Sequence, residues 1–164
     1  MVLLIALLLL YFILAAQFES LRLPLIVLLE IPIDVAGALL LLKLFGASLN
    51  LMSMIGMIVM AGIIINDSII KIDTINRLYH SGEPLMKAIY TGGARRLKPI
   101  IMTSITTIFA TMPFLFRHDL GSELQTPLAL AVIGGMALGT FVSLYFIPLS
   151  YWFLMKDKAR QRIS

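Results

Sequence analysis

Glu30, Asp34 and Asp67 are carboxylates set inside long apolar stretches. A charge at membrane depth costs about 2.5–3.5 kcal/mol on insertion scales, so charges retained there tend to mark paths for ions or protons. Asp67 stands within Gly62-Ile63-Ile64-Ile65-Asn66-Asp67-Ser68-Ile69-Ile70-Lys71. Lys71 is one helical turn on and can reach Asp67 on the same face. The plain alternative is that Lys71 snorkels to an interface and neutralises Asp67 structurally. Glu30 and Asp34 are also four apart and line one helix face around Pro32, whose missing N–H frees a carbonyl and favours a kink. These two carboxylates could share a proton, or each could pair with a base on a neighbouring helix; both readings stay open. Hydroxyls at Thr103, Ser104, Thr106 and Thr107 enter another apolar stretch. Most such hydroxyls bond to their own helix or to a neighbour, but one beside a titrating carboxylate can pass a proton, and Thr103 is the candidate.

These side chains need helices that cross lipid, and the composition supplies them. The chain has 164 residues, 60% apolar and 13% charged, with a mean hydropathy of +0.98. Soluble domains carry about 45–50% apolar and about 25% charged residues, so there is too little polar surface here for a water-facing exterior. Disorder, collagen and coiled coil are excluded by the same numbers. With no cysteine there is no disulfide framework and no thiolate site. A bilayer core needs about 20 apolar residues per helix. Charge-free runs and their flanks predict an all-α, multi-pass transmembrane bundle (residues 1–155) of five helices, roughly 1–18, 23–43, 49–71, 99–116 and 127–154, followed by a basic tail over 156–164. The first stretch ends near Ala15-Ala16 but lacks the basic lead of a signal peptide. Met1 opens directly into apolar sequence, as a piece from inside a longer chain would.

Basic residues alternate between the two sides. Arg22, then Arg77, Lys87, Arg95, Arg96 and Lys98, then Lys156, Lys158, Arg160 and Arg162 share one side, against Lys43 and Arg117 on the other; Lys71 completes the 13. The positive-inside rule puts the tail in the cytoplasm and the chain start outside. In the longest loop, Ser81-Gly82-Glu83-Pro84 is a turn signal. Residues 84–92 read as a cytoplasmic interfacial helix with Gly92-Gly93 as its C-cap. Arg95, Arg96 and Lys98 read as headgroup anchors. His80 and His118 lie far apart and read as solvated residues. Gly134, Gly135 and Gly139 predict close helix packing. Ten methionines scatter through apolar helices and suit core filling better than copper ligation. No phosphate loop, metal pair or nucleophilic triad is visible, so neither an enzyme, a metal site nor a nucleic-acid partner is expected.

Taken in order, several pieces carry a family resemblance: Leu14-Ala15-Ala16-Gln17-Phe18-Glu19-Ser20; Pro32 with Gly37-Ala38-Leu39-Leu40; Gly62 through Ile69; Arg95-Arg96-Leu97-Lys98-Pro99-Ile100-Ile101-Met102-Thr103-Ser104; Met112-Pro113; Gly134-Gly135-Met136; and Phe146-Ile147-Pro148. Over essentially its whole length the chain resembles the C-terminal membrane half of a resistance-nodulation-division (RND) efflux permease. The resemblance implies the last five of twelve membrane helices in a bacterial inner-membrane protein. It further implies a homotrimer that exchanges protons for cargo, powered by the proton gradient without a cofactor, beside a periplasmic adaptor and an outer-membrane channel. By the same resemblance, Thr103 matches a relay threonine and Arg96 a relay-linked arginine. Asn66 stands where drug-exporting members have a relay lysine, and Asp67 stands at the neighbouring asparagine; Asp67 or Lys71 are candidate substitutes for that lysine. Glu30 and Asp34 depart from the family pattern, so no role carries over to them. Cargo selection belongs to periplasmic domains that these residues do not include. A protein-export accessory of the same superfamily and a non-transporting scaffold are the other classes; charged groups in lipid argue against the scaffold.

Overall fold

A computed structural model describes residues 2–116 and 121–161, with side chains over 5–116, at 121 and over 124–156. Arg117, His118, Asp119 and Arg162 lie outside the described residues. Five α-helices follow in order: α1 (Val2–Phe18), α2 (Leu23–Leu44), α3 (Leu51–His80), α4 (Leu85–Thr111) and α5 (Ser122–Gln161), with a 3₁₀ turn at Met112–Leu115. The helices α2 to α5 are long and apolar enough to cross a membrane, and α1 is a shorter apolar helix. The long central helix α5 packs against α2, α3 and α4, while α1 lies against α2. Large apolar side chains such as Phe12, Ile58, Phe109 and Phe153 face outward, as the outer surface of a bundle in lipid requires.

Local chemistry sets the ends. At the start of α3 the Asn50 side chain accepts from the Ser53 N–H at 2.9 Å, while the Asn50 N–H donates to the Ser53 hydroxyl at 2.9 Å. This reciprocal cap satisfies two donors that the first helical turn leaves free. The turn before it uses Gly46 at φ 65°, and the turn after α3 uses Gly82 at φ 99°, positions where a Cβ is disfavoured.

Several boundaries differ from the sequence expectation. Helix α3 continues past Lys71 to His80 because its buried positions Ile64, Ser68, Ile72, Ile75 and Tyr79 keep helical spacing beyond the apolar run; an Arg77–Asp73 pair at 2.9 Å braces the exposed side. The separate interfacial helix over 84–92 does not exist. It is the first part of α4, which runs unbroken through Gly92, Gly93 and Pro99. Gly92 does not cap a helix. It brings α4 against α3, since a Cβ there would sit 2.7 Å from Ile75 Cγ1. The 3₁₀ turn takes over after Thr111, short of the expected end at 116, and α5 extends beyond 154 into the basic tail.

The core has two apolar clusters. One joins Leu14 and Phe18 of α1, Leu23, Ile26 and Val27 of α2, Ile72 and Ile75 of α3, and Ile147, Tyr151 and Met155 of α5. The other joins Ala38 and Leu42 of α2, Met60 and Ile64 of α3, and Leu130, Ala131, Val132 and Met136 of α5. Along all three shared helices, the buried residues between the clusters are polar or glycine. Glycines allow the close approach on which this layering rests. A Cβ on Gly134 would lie 2.8 Å from the Gly37 carbonyl and one on Gly56 would lie 2.7 Å from that of Leu128. Gly134→Val is therefore expected to destabilise the detergent-solubilised full-length protein by about 1–3 kcal/mol through overpacking. Gly93→Ala, where an added Cβ meets nothing within 4 Å, should leave the melting temperature unchanged or raised. Similar losses in both variants would contradict this packing.

Candidate functional site: a polar layer between helices α2, α3 and α5

The buried polar residues between the two apolar clusters are Glu30 and Asp34 on α2, Ser68 and Lys71 on α3, and Ser143 on α5. All five are at most 1% exposed. Their positions follow from helical periodicity. On α2, Glu30 and Asp34 continue the buried stripe of Ile26 and Ala38. On α3, Ser68 and Lys71 continue that of Ile64 and Ile75. Each helix thus places its polar residues on the stripe that would otherwise carry core side chains.

A hydrogen-bonded chain crosses the three helices. The Ser68 hydroxyl donates to Glu30 Oε2 at 2.6 Å and lies 3.3 Å from the Ser143 hydroxyl. The Lys71 ammonium donates to the Ser143 carbonyl at 2.9 Å and reaches the Ser143 hydroxyl at 3.3 Å. Glu30 and Lys71 are therefore linked through two serines and not by direct contact; among the described residues the ion pairs within 4.0 Å are Arg77–Asp73 and Lys87–Glu83. Glu30 Oε1 and both oxygens of Asp34 are buried with no hydrogen-bond partner among the described residues. Asp34 fits because Gly139 on α5 has no side chain: a Cβ there would meet Asp34 Oδ1 at 2.6 Å and Asp34 Cγ at 3.1 Å.

The residues expected at a relay fall in different places. Lys71 neither pairs with Asp67 nor snorkels outward; it turns into the bundle and spends its ammonium on Ser143. Asp67, next to Ser68 on the helix, is only half-buried, and Asn66 is exposed. Asn66 lines an apolar cavity of about 660 Å³ between α1, α2 and α3, with Leu10, Val35, Met57 and Ile65. Thr103 is exposed, and its hydroxyl donates to the Pro99 carbonyl of its own helix at 3.0 Å. The inward hydroxyl of α4 is its neighbour Ser104, which lies 2.5 Å from Thr140 of α5. Arg96 is no free headgroup anchor: its Nε donates to Thr74 Oγ1 at 2.8 Å, tying α4 to α3 one turn beyond Lys71. Sequence reasoning missed Ser68 and Ser143. Ser68 had a readable signal, one residue after Asp67 and three before Lys71; Ser143, alone in an apolar run, had none.

Matches to known proteins agree with this architecture. Residues 1–155 match the model of the AcrB/AcrD/AcrF family. The chain belongs to that family. It is 32% identical over 155 residues to the multidrug resistance protein MdtC of Escherichia coli (strain K12 / DH10B), covering 94% of this chain and 15% of the relative. The MdtC of Escherichia fergusonii aligns with the same figures. Among solved structures, a heavy metal efflux pump superimposes with a TM-score of 0.81 at 29% identity, over 95% of this chain and 15% of that one. A second crystal form of a heavy metal efflux pump gives 0.73 at 32%, over 81% and 14%. The chain thus spans about 15% of the length of these relatives. The helical membrane bundle, the membership in the RND permeases and the absence of strands among the described residues all accord with the sequence expectation.

The serine-bridged chain predicts non-additive mutations. Removing one partner of a buried ionic set costs about 3–5 kcal/mol, whereas replacing both is often neutral. Lys71→Met is therefore expected to lower the stability of the full-length protein by that amount. The double variant Glu30→Gln/Lys71→Met should recover most of the loss, read as thermal unfolding in detergent. Simple additivity of the two changes would show that Glu30 and Lys71 are not coupled.

Proposed function

We propose that this chain forms part of the membrane domain of a proton-driven RND exporter, one that moves drugs or metals out across the cell envelope. The observation that supports this reading best is the sealed polar layer itself: two carboxylates and an ammonium with at most 1% exposure inside a membrane bundle. A bundle serving only as scaffold gains nothing from such residues, while an ion-coupled transporter needs them. The relatives are named for multidrug resistance and heavy-metal efflux, which supports export as the shared task.

In this reading the proton gradient is the energy source and no resident cofactor takes part. Protonation of a carboxylate removes a charge, its partners relax, and the helices shift between two packings. Asp67 and Thr103 form this half's wall of the relay, Asn66 occupies the relay lysine's place, and Arg96 fixes α4 to α3 at Thr74, further along α3. The complete protein sits in the inner membrane with the end of α5 in the cytoplasm. It works as a homotrimer with a periplasmic adaptor and an outer-membrane channel. Its partner here is the lipid bilayer, not nucleic acid.

The test is transport by the full-length protein in liposomes. Export is expected to follow an imposed pH gradient, and Asp67→Asn is expected to lose most of the gradient-driven component while the protein still folds. Intact gradient-driven export in Asp67→Asn would remove Asp67 from the relay, and export indifferent to the gradient would sink the proton-driven reading as a whole.

A further inference from the structure

Asp34 is the one acid of the polar layer that no described residue answers. Glu30 has the Ser68 hydroxyl on one oxygen; Asp34 has both oxygens buried and without a donor, at 0% exposure. A bare carboxylate in that position loses its hydration and gains nothing in return, which costs several kcal/mol. The charges that bear on it are also wrong in sign. Glu30, one turn away on α2, is the charge facing Asp34; Lys71 and Asp67 on α3 act on Glu30, and Lys71 has given its ammonium to Ser143. From α5 Asp34 meets Gly139, and Ile64 of α3 closes the same spot. With Glu30, Asp34 and Lys71 all ionised, the sealed layer carries one net negative charge, which a single added positive charge balances.

The structure assigns Asp34 as a proton-binding site of this membrane bundle: its carboxylate takes up one proton to become the neutral acid and gives it back, beside a Glu30–Ser68–Ser143–Lys71 chain whose own charges cancel. A metal cation suits the place poorly. A hard cation calls for about six or more oxygens, and among the described residues no group of three metal-ligating side chains is found. The Ser143 carbonyl and hydroxyl, which α5 brings to this layer, already hold Lys71. Gly139 is part of the site, because any side chain there displaces Asp34 Oδ1. The role rests on the proton-driven reading for what the proton accomplishes, but not for where it is held.

The experiment is infrared difference spectroscopy of the full-length transporter in liposomes, stepping the bulk pH without cargo and comparing wild type with Asp34→Asn. Asparagine is isosteric with the neutral acid, so the variant is expected to fold. The wild-type minus variant spectrum should contain the carbonyl stretch of a single protonated carboxyl per subunit that vanishes on alkalinisation. Gly139→Ala, which presses a methyl onto Oδ1, should shift that band. No band in the wild-type minus variant difference would overturn the proposal. So would a band that Gly139→Ala leaves unmoved, or one abolished by sodium at fixed pH, which would make the ligand a metal cation. If Asp34→Asn does not fold, the wild-type carboxyl band and its shift in Gly139→Ala decide the matter alone. Gradient-driven export with a silent Asp34 sinks this site and spares the function; a titrating Asp34 in a protein whose export ignores the gradient does the reverse.

Discussion

The Lys71 ammonium cannot reach water. From the buried stripe of α3 it must find acceptors inside the bundle, and it finds them on Ser143 of α5. That contact fixes the rotation of α3 against α5, and Ser68 extends it to Glu30 on α2. Because an unsatisfied charge in a low-dielectric interior costs several kcal/mol, the three helices have little freedom to slide or turn without breaking the chain. The two apolar clusters then pack above and below this layer, on the same helix faces.

Close approach is the second requirement, and it is met by absence of side chains. Gly37 and Gly134 let the α2 and α5 backbones nearly touch, Gly56 does so for α3 and α5, and Gly135 accepts Met60. Lipid tails are as apolar as leucine, so helices in a membrane gain from fit more than from hydrophobic collapse. Gly139 belongs to this series by geometry, but what it admits is the Asp34 carboxylate. The same device that tightens the bundle elsewhere opens a polar seat at one point.

Much of this was legible from residue order. Charge-free runs located the membrane helices, Ser81-Gly82 marked a turn, and the intramembrane acids stood out against their surroundings. Gly92-Gly93 misled, because a glycine pair reads as a helix stop by propensity alone. Only the Ile75 side chain opposite Gly92 shows that the glycine serves a helix crossing. Lys71 misled for a related reason: the i, i+4 spacing to Asp67 is favourable on an isolated helix, but Lys71 lies on the fully buried stripe and is held by Ser143 of α5, while Asp67 is only half-buried.

By itself the sequence determined what the chain is made for: an all-helical bundle in lipid, with ionisable groups on α2 and α3 and small residues at the crossings. These follow from composition and periodicity, which are properties of one segment at a time. Which polar groups meet was decided only by the tertiary structure. Glu30 and Ser68 are 38 positions apart, and Lys71 and Ser143 are 72 apart. No local rule links residues so distant; their contact comes from the rotation and depth at which α2, α3 and α5 pack. The same packing sent Thr103 outward and Ser104 inward, though they are neighbours in sequence, because adjacent residues on a helix point about 100° apart.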